Sequence, residues 1–268
     1  MAYESLFTPI DIGGKLKLSN RLVMAPMTTT AGEADGSFSD QEVAYLKRRA
    51  EAGIGLIMTP ACYVHKSGHA FERQVDCDHD GLLKSLAACA SAVNEAGAAS
   101  FLQIHHGGNA AKEAYTGQPP LAPSAVKNRR GASGLPRALT ESETGMLIEA
   151  FAEAAKRARG AGFTGIEIHG ANTYLFQQFF SPYTNRRDDK WGTQSFENRS
   201  RFAREVVKAV RAAVGEDYPT AYRISPEEEQ PDGYTTEDAI KLLQVLLPLG
   251  VDIVHVSSWE YGKGIYTD

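Results

Sequence analysis

The sequence predicts an α/β fold, a parallel sheet with helices packed outside it. Three observations carry this. Short runs rich in Val, Ile and Leu alternate with longer stretches of Ala, Glu, Lys and Arg at helical spacing, the rhythm of βαβ units. Helix-start signals and terminal glycines punctuate the longer stretches. Polar side chains gather just beyond the C-terminal ends of the apolar runs, where parallel α/β folds place their chemistry. The chain has 268 residues, which suits one α/β barrel of about 250 residues or one to two domains of about 150.

The first segment, Ile10-Asp11-Ile12-Gly13-Gly14-Lys15-Leu16-Lys17-Leu18, alternates around Gly-Gly and reads as a β-hairpin. The first strand is Arg21 to Ala25, stopped by Pro26. Ser39-Asp40-Gln41-Glu42 opens a helix that runs to Ala52, before Gly53. The second strand is Gly55 to Thr59, the second helix about Leu82 to Ala96, and the third strand Ser100 to Ile104. A Gly/Pro-rich loop then spans roughly Gly107 to Arg137, a length usual only in functional or mobile loops. Thr140-Glu141-Ser142-Glu143 is a capping box whose helix runs to about Gly160. The fourth strand is Gly165 to Ile168, and the fourth helix includes Asn198 to Ala213. The fifth strand is Ala221 to Ile224. Thr236 opens the fifth helix, which stops near Leu249-Gly250, and the sixth strand is Asp252 to Val256. Six strands suit an open sheet; a closed (β/α)8 barrel needs two more units of about 30 residues each.

Composition narrows the function classes. Hydrophobic residues make up 43% and charged residues 23%, ordinary for a globular chain and incompatible with disorder. A net charge of −5 argues against a nucleic-acid binder. No apolar run approaches the ~18 residues of a membrane span, and the N-terminus lacks the pattern of a signal peptide, so a cytoplasmic location is expected. Cys62, Cys77 and Cys89 form no C-x-x-C pair and read as free thiols in a reducing compartment.

The strand ends carry Ala25-Pro26-Met27-Thr28, then Ala61, then Gln103 leading to His105-His106. They continue with Glu167, His169, Asn172 and Tyr174, then Arg223 and Ser225, then His255, Ser257 and Ser258. His105, His106 and His169 with Glu167 could ligate a metal, but neighbours on a strand point to opposite faces, so His105 and His106 cannot both face the same interior. No G-x-S-x-G elbow or P-loop is present. Glu227-Glu228-Glu229 reads as a solvated acidic loop.

Asn20-Arg21-Leu22-Val23-Met24-Ala25-Pro26-Met27-Thr28 resembles the first-strand signature of the Old Yellow Enzyme family of FMN-dependent NAD(P)H oxidoreductases. Ile166-Glu167-Ile168-His169-Gly170-Ala171-Asn172-Thr173-Tyr174-Leu175 resembles its active-site motif. Phe179-Phe180-Ser181-Pro182, Thr184-Asn185-Arg186-Arg187-Asp188-Asp189 and Phe196-Glu197-Asn198-Arg199 continue the match, as do Gln103-Ile104-His105-His106-Gly107-Gly108 and Tyr222-Arg223-Ile224-Ser225. The resemblance covers essentially the whole chain.

The resemblance implies a single TIM (β/α)8 barrel domain with the N-terminal hairpin, here ending after the sixth strand, and FMN across its C-terminal mouth. It implies that Ala25, Pro26, Met27 and Ala61 lie against the isoalloxazine ring and that Thr28 donates to the C4 carbonyl. Gln103 would pair with the pyrimidine edge through donor and acceptor together. Arg223 would stabilise negative charge near N1 and the C2 carbonyl. His169 and Asn172 would form the substrate's anion hole, and Tyr174 would protonate the α-carbon opposite the hydride. NADH or NADPH would be the reductant and an activated alkene or similar electrophile the substrate. Homo-oligomers are compatible with the family.

Thr173 stands where relatives often have Gly, and Trp191-Gly192-Thr193 where they have Tyr-Gly-Gly. Family members continue through two further strands whose loops hold the FMN phosphate, so the sequence is expected to be an incomplete record of a longer barrel. The alternatives are a barrel fragment that binds no flavin, distinguished by flavin content, and a metal-dependent lyase or aldolase, distinguished by metal analysis.

Overall fold

The computed structural model describes residues 3–127, 134–228 and 230–258. β1 (Ile10–Ile12) and β2 (Leu16–Leu18) form the expected hairpin, with Gly13 and Gly14 both at positive φ (58° and 72°) in its turn. Then follow β3 (Val23–Met24), α1 (Asp40–Glu51), β4 (Leu56–Tyr63), α2 (Leu83–Glu95) and β5 (Ala99–His105). After them come α3 (Glu113–Thr116), β6 (Leu121–Ala122), β7 (Arg137–Ala138), α4 (Glu141–Gly160) and β8 (Gly165–Gly170). The chain continues through α5 (Leu175–Phe180), α6 (Phe196–Val214), β9 (Thr220–Ile224), α7 (Thr236–Leu246) and β10 (Ile253–Val256). β3-β4-β5-β8-β9-β10 pair side by side in that order, every pair parallel. This is the six-stranded parallel sheet that the βαβ rhythm predicts, with β3 and β10 at its edges.

Alternation along each strand sorts the side chains onto two faces. Ile57, Leu102, Ile104, Ile166, Ile168 and Tyr222 face the helices and join Leu46, Leu86, Phe151, Phe202 and Leu242 in the large core. The other face is graded. Its N-terminal half is apolar: Leu56, Met58, Phe101 and Ala221, joined by Ile253, are closed off by Leu18, Ile10, Ile12 and Leu16 of the hairpin. Lys15 fixes the hairpin there through Asp252 at 2.8 Å. Gly165 lies in this layer because a Cβ would sit 2.4 Å from the Phe101 ring. Two residues further along, the same face presents Gln103, Glu167, Arg223 and His255. The hairpin thus plugs one end of the interior and leaves the polar end open to chemistry.

Several boundaries depart from expectation. The first strand shrinks from Arg21–Ala25 to Val23–Met24; among the described residues it pairs on one side, with β4. The second runs on to Tyr63 despite Pro60, which cannot donate to the ladder. The register shifts between Met58 and Ala61, and the Thr59 hydroxyl accepts from the Gln103 N–H at 3.1 Å in place of a ladder carbonyl. Ser39 and Thr140 cap their helices and Thr236 opens α7, as expected, with Thr235 before it forming a capping box with Asp238.

The stretch from 107 to 137 is not a plain loop. It contains α3 and the parallel pair β6–β7, and its residues 128–133 lie outside the described ones. α5 leaves no readable period in the sequence, since its six residues are few and all buried. The acidic run is not a fully solvated loop: Glu229 lies outside the described residues, Glu227 is exposed, and Glu228 is half-buried. It accepts from Gln177 Nε2 at 3.0 Å and from the Ser181 hydroxyl, and burial raises its carboxyl above the ordinary value.

Candidate active site

The site is built where the graded face turns polar. β5 supplies Gln103 and His105, β8 supplies Glu167 and His169, β9 supplies Arg223, and β10 supplies His255. Strand alternation puts His106 on the other side of β5, as expected from its position beside His105. There Gly108 N–H donates to Nδ1 (3.0 Å), so Nε2 carries the hydrogen and contacts the Ser67 hydroxyl (3.0 Å). Burial first, then His105 and His65, holds this imidazole well below its ordinary pKa, so His106 is a neutral structural residue.

His105 is different. It is fully buried, neither ring nitrogen has a hydrogen-bond partner, and burial lowers its pKa to about 3. Its ring stands at 89° to that of Tyr174, with centroids 4.4 Å apart, and lies 5.1 Å from the His169 ring. His169 is 4.9 Å from Tyr174, and Phe71, from the loop after β4, closes the group at 6.1 Å from Tyr174. Phe71 carried no signal in the sequence, because its loop folds back over the strand ends only in three dimensions.

Tyr174 caps the short helix α5 and follows two non-glycine residues in the left-handed region, Asn172 (φ 59°) and Thr173 (φ 65°). Such a conformation is uncommon, and an outlier for a β-branched residue. It is held from both sides. The Asn172 N–H donates to Ser225 Oγ (3.0 Å) and the Thr173 N–H to Gln177 Oε1 (2.8 Å), while Thr173 O accepts from Gln178 Nε2 (2.7 Å). Gln178 also takes the Asn109 N–H (2.9 Å), fastening the stretch after β5 to this turn.

Arg223 donates from Nη2 to Ser257 Oγ (2.9 Å), and that hydroxyl donates to Asn172 Oδ1 (3.2 Å). His169 Nδ1 accepts the Ala171 N–H across a long 3.4 Å contact, which leaves Nε2 as its hydrogen-bearing nitrogen. Gln103 Nε2 donates to Glu167 Oε1 at 2.7 Å.

The structure therefore brings Gln103, His169, Asn172, Tyr174 and Arg223 to one end of one face. Ala61 is buried on β4 beside Gln103 in register. Ala25, Pro26, Met27 and Thr28 follow β3, with Pro26 buried, Thr28 half-buried and Met27 half exposed at 50%. Compact apolar walls, an amide and a fixed cation are the donor and packing set that a flavin ring needs, so these residues fit that group.

A metal reading of His105, His106, His169 and Glu167 is not what the geometry assembles, because His106 points away and Glu167 is taken up by Gln103 and His255. Among the described residues, the ligand-type side chains that converge are Asp76, Asp78 and His79, outside this site. Cys62, Cys77 and Cys89 are free and buried, with thiols raised by burial. No helix among the described residues is long and apolar enough to cross a membrane.

A six-stranded parallel sheet with its polar residues at the C-terminal strand ends defines an α/β protein of the TIM-barrel-like class. The sequence model of the NADH:flavin oxidoreductase / NADH oxidase family matches residues 5–263. The chain belongs to that family, the Old Yellow Enzyme group of FMN-dependent oxidoreductases. It is 40% identical over 259 residues to the NADH:fumarate oxidoreductase of Klebsiella pneumoniae, covering 95% of this chain and 28% of that protein. It is 41% identical over 262 residues to the NADH oxidase of Thermoanaerobacter brockii, covering 97% and 40%. The chain thus spans less than half the length of these curated relatives. Among solved structures, an Old Yellow Enzyme homologue from Zymomonas mobilis superposes with a TM-score of 0.85 at 29% identity, covering 94% of this chain and 73% of that one.

Proposed function

We propose that this chain is the flavin-binding catalytic part of an FMN-dependent NAD(P)H oxidoreductase that reduces activated alkenes, such as α,β-unsaturated carbonyl or nitro compounds. The observation that carries this reading is the placement of Tyr174 and His169, with rings 4.9 Å apart, above a Gln103–Arg223 floor on one sheet face.

Ala25, Pro26, Met27 and Ala61 would wall the ring, Thr28 and Gln103 would hydrogen-bond its polar edge, and Arg223 would offset negative charge on it. When bound and reduced by NAD(P)H, FMN would supply the hydride for the electrophilic carbon. His169 Nε2–H and the Asn172 amide donate to the substrate's carbonyl or nitro oxygen, where charge develops. Tyr174 gives its phenolic proton to the adjacent carbon. Arg223, through Ser257, fixes the Asn172 side chain for this task.

The test is to add excess FMN to the purified chain, desalt it and record its visible absorbance, then follow NADH and NADPH oxidation with an enone without oxygen. A retained flavin band with enone-dependent oxidation is expected. A colourless protein overturns the reading.

A further inference from the structure

Glu167 is fully buried on β8, yet both of its carboxylate oxygens are engaged. Gln103 Nε2 on β5 lies 2.7 Å from Oε1, and His255 Nδ1 on β10 lies 2.7 Å from Oε2. β8 and β10 are not neighbours, since β9 runs between them. With strands about 4.8 Å apart, the two backbones are separated by roughly 10 Å. The side chains meet because β9 places the small Ala221 opposite Glu167. One carboxylate therefore joins three strands across the interior, directly above the apolar plug.

The chemistry of the contacts fixes their orientation. A carboxylate only accepts, so both neighbours must present N–H. The Gln103 amide must turn its nitrogen to Glu167 and its carbonyl away, and His255 must carry hydrogen on Nδ1. An amide without such a partner could flip and exchange donor for acceptor.

We propose that Glu167 and His255 are positioning residues that lock the Gln103 amide in one orientation toward the pyrimidine edge of bound FMN, and that Glu167 holds negative charge beneath that edge. This rests on the flavin reading above. Gln103 then offers its carbonyl to a ring N–H and its second amide hydrogen to a ring carbonyl. The buried charge opposes Arg223, whose residue lies beside His255 in register. Together they tune how much more tightly the site holds the reduced, anionic ring than the oxidised one.

The experiment uses the FMN-loaded chain and the variants Glu167→Gln and His255→Ala, with FMN dissociation constant, midpoint potential and melting temperature as readouts. Glu167→Gln keeps the shape but removes the charge and the demand for an N–H. It should weaken oxidised FMN by about tenfold, the worth of one charge-assisted hydrogen bond. It should also raise the reduced-to-oxidised affinity ratio by about tenfold, a rise of about 30 mV for a two-electron couple. His255→Ala loosens Glu167 from one side and should weaken FMN in the same direction by a smaller factor.

Variants that melt earlier but keep FMN affinity within twofold of the parent and midpoint potential within about 9 mV of it, the twofold equivalent for a two-electron couple, would show a purely structural role and overturn the proposal. If Glu167→Gln does not fold, His255→Ala decides alone by the same criterion. A parent chain that takes up no FMN overturns the functional reading, and this inference with it; a parent that binds FMN with unmoved variants overturns only the inference.

Discussion

The His105 ring stands edge-on to the ring of Tyr174, with centroids 4.4 Å apart and planes at 89°, and no hydrogen bond reaches either of its nitrogens. A neutral imidazole can occupy this position and an imidazolium cannot, because charge in an apolar, aromatic pocket has no compensating partner.

That arrangement makes stability pH-dependent with a definite sign. His105 ordinarily titrates at 6.5 and is pushed by burial to about 3 in the fold. Between those values the unfolded chain binds a proton that the folded chain refuses, so stability is fully present above pH 6.5 and is lost as pH falls below it. The loss is about 1.4 kcal/mol per pH unit for one such group. His106 acts in the same direction. Asp76, raised to about 6 mainly by burial, acts oppositely. Melting temperatures measured from pH 6.5 to 4.5 should fall, and fall less steeply in His105→Asn. Parallel slopes for the two proteins would refute the assignment.

Tyr174→Phe removes the proton donor while keeping the ring that packs on His105 and His169. Oxidation of NAD(P)H by the FMN-loaded chain should persist, and alkene reduction should drop about 10²–10⁴-fold, the range of general acid catalysis. Rapid-mixing measurements of the two half-reactions separate them. Equal losses in both would deny Tyr174 the acid role.

Thr173→Gly should stabilise the protein. Thr173 holds a φ of 65°, and its hydroxyl is buried without a hydrogen-bond partner. Relief of the left-handed strain contributes about 1–2 kcal/mol, partly offset by the greater freedom of glycine in the unfolded chain. A net gain of about 1 kcal/mol corresponds to a rise of roughly 2–4 °C in Tm, readable by thermal denaturation. A lower Tm would show that the turn is held without strain.

Gly165→Ala should destabilise by about 1–3 kcal/mol, the usual cost of overpacking. The new Cβ would meet the Phe101 ring at 2.4 Å and the Pro219 carbonyl at 2.7 Å. Adding Phe101→Leu should recover part of the loss, since the ring is one of the two obstacles. Denaturant midpoints of the single and double variants give the comparison.

Much of the scaffold is readable from the residues alone. The βαβ rhythm and the caps at Ser39 and Thr140 placed the strands and most helices, because period and capping chemistry are local. Gln103, His169 and Arg223 were legible for a similar reason, each from its distance along its own strand, whereas Asn172 and Tyr174, in the turn after β8, were picked out by the family motif. Folding in three dimensions adds relations between chain segments that no local period records. Pro60 survives inside β4 because Thr59 supplies an acceptor to the neighbouring strand. Glu228 is drawn partly out of solvent because Gln177 of α5 and Ser181 just after it donate to its carboxylate. Phe71 reaches Tyr174 through a folded-back loop, and Glu167 meets His255 over Ala221 because the intervening residue is small. Each depends on which side chain fills the space across from it, a matter settled by packing and hydrogen-bond satisfaction rather than by sequence spacing.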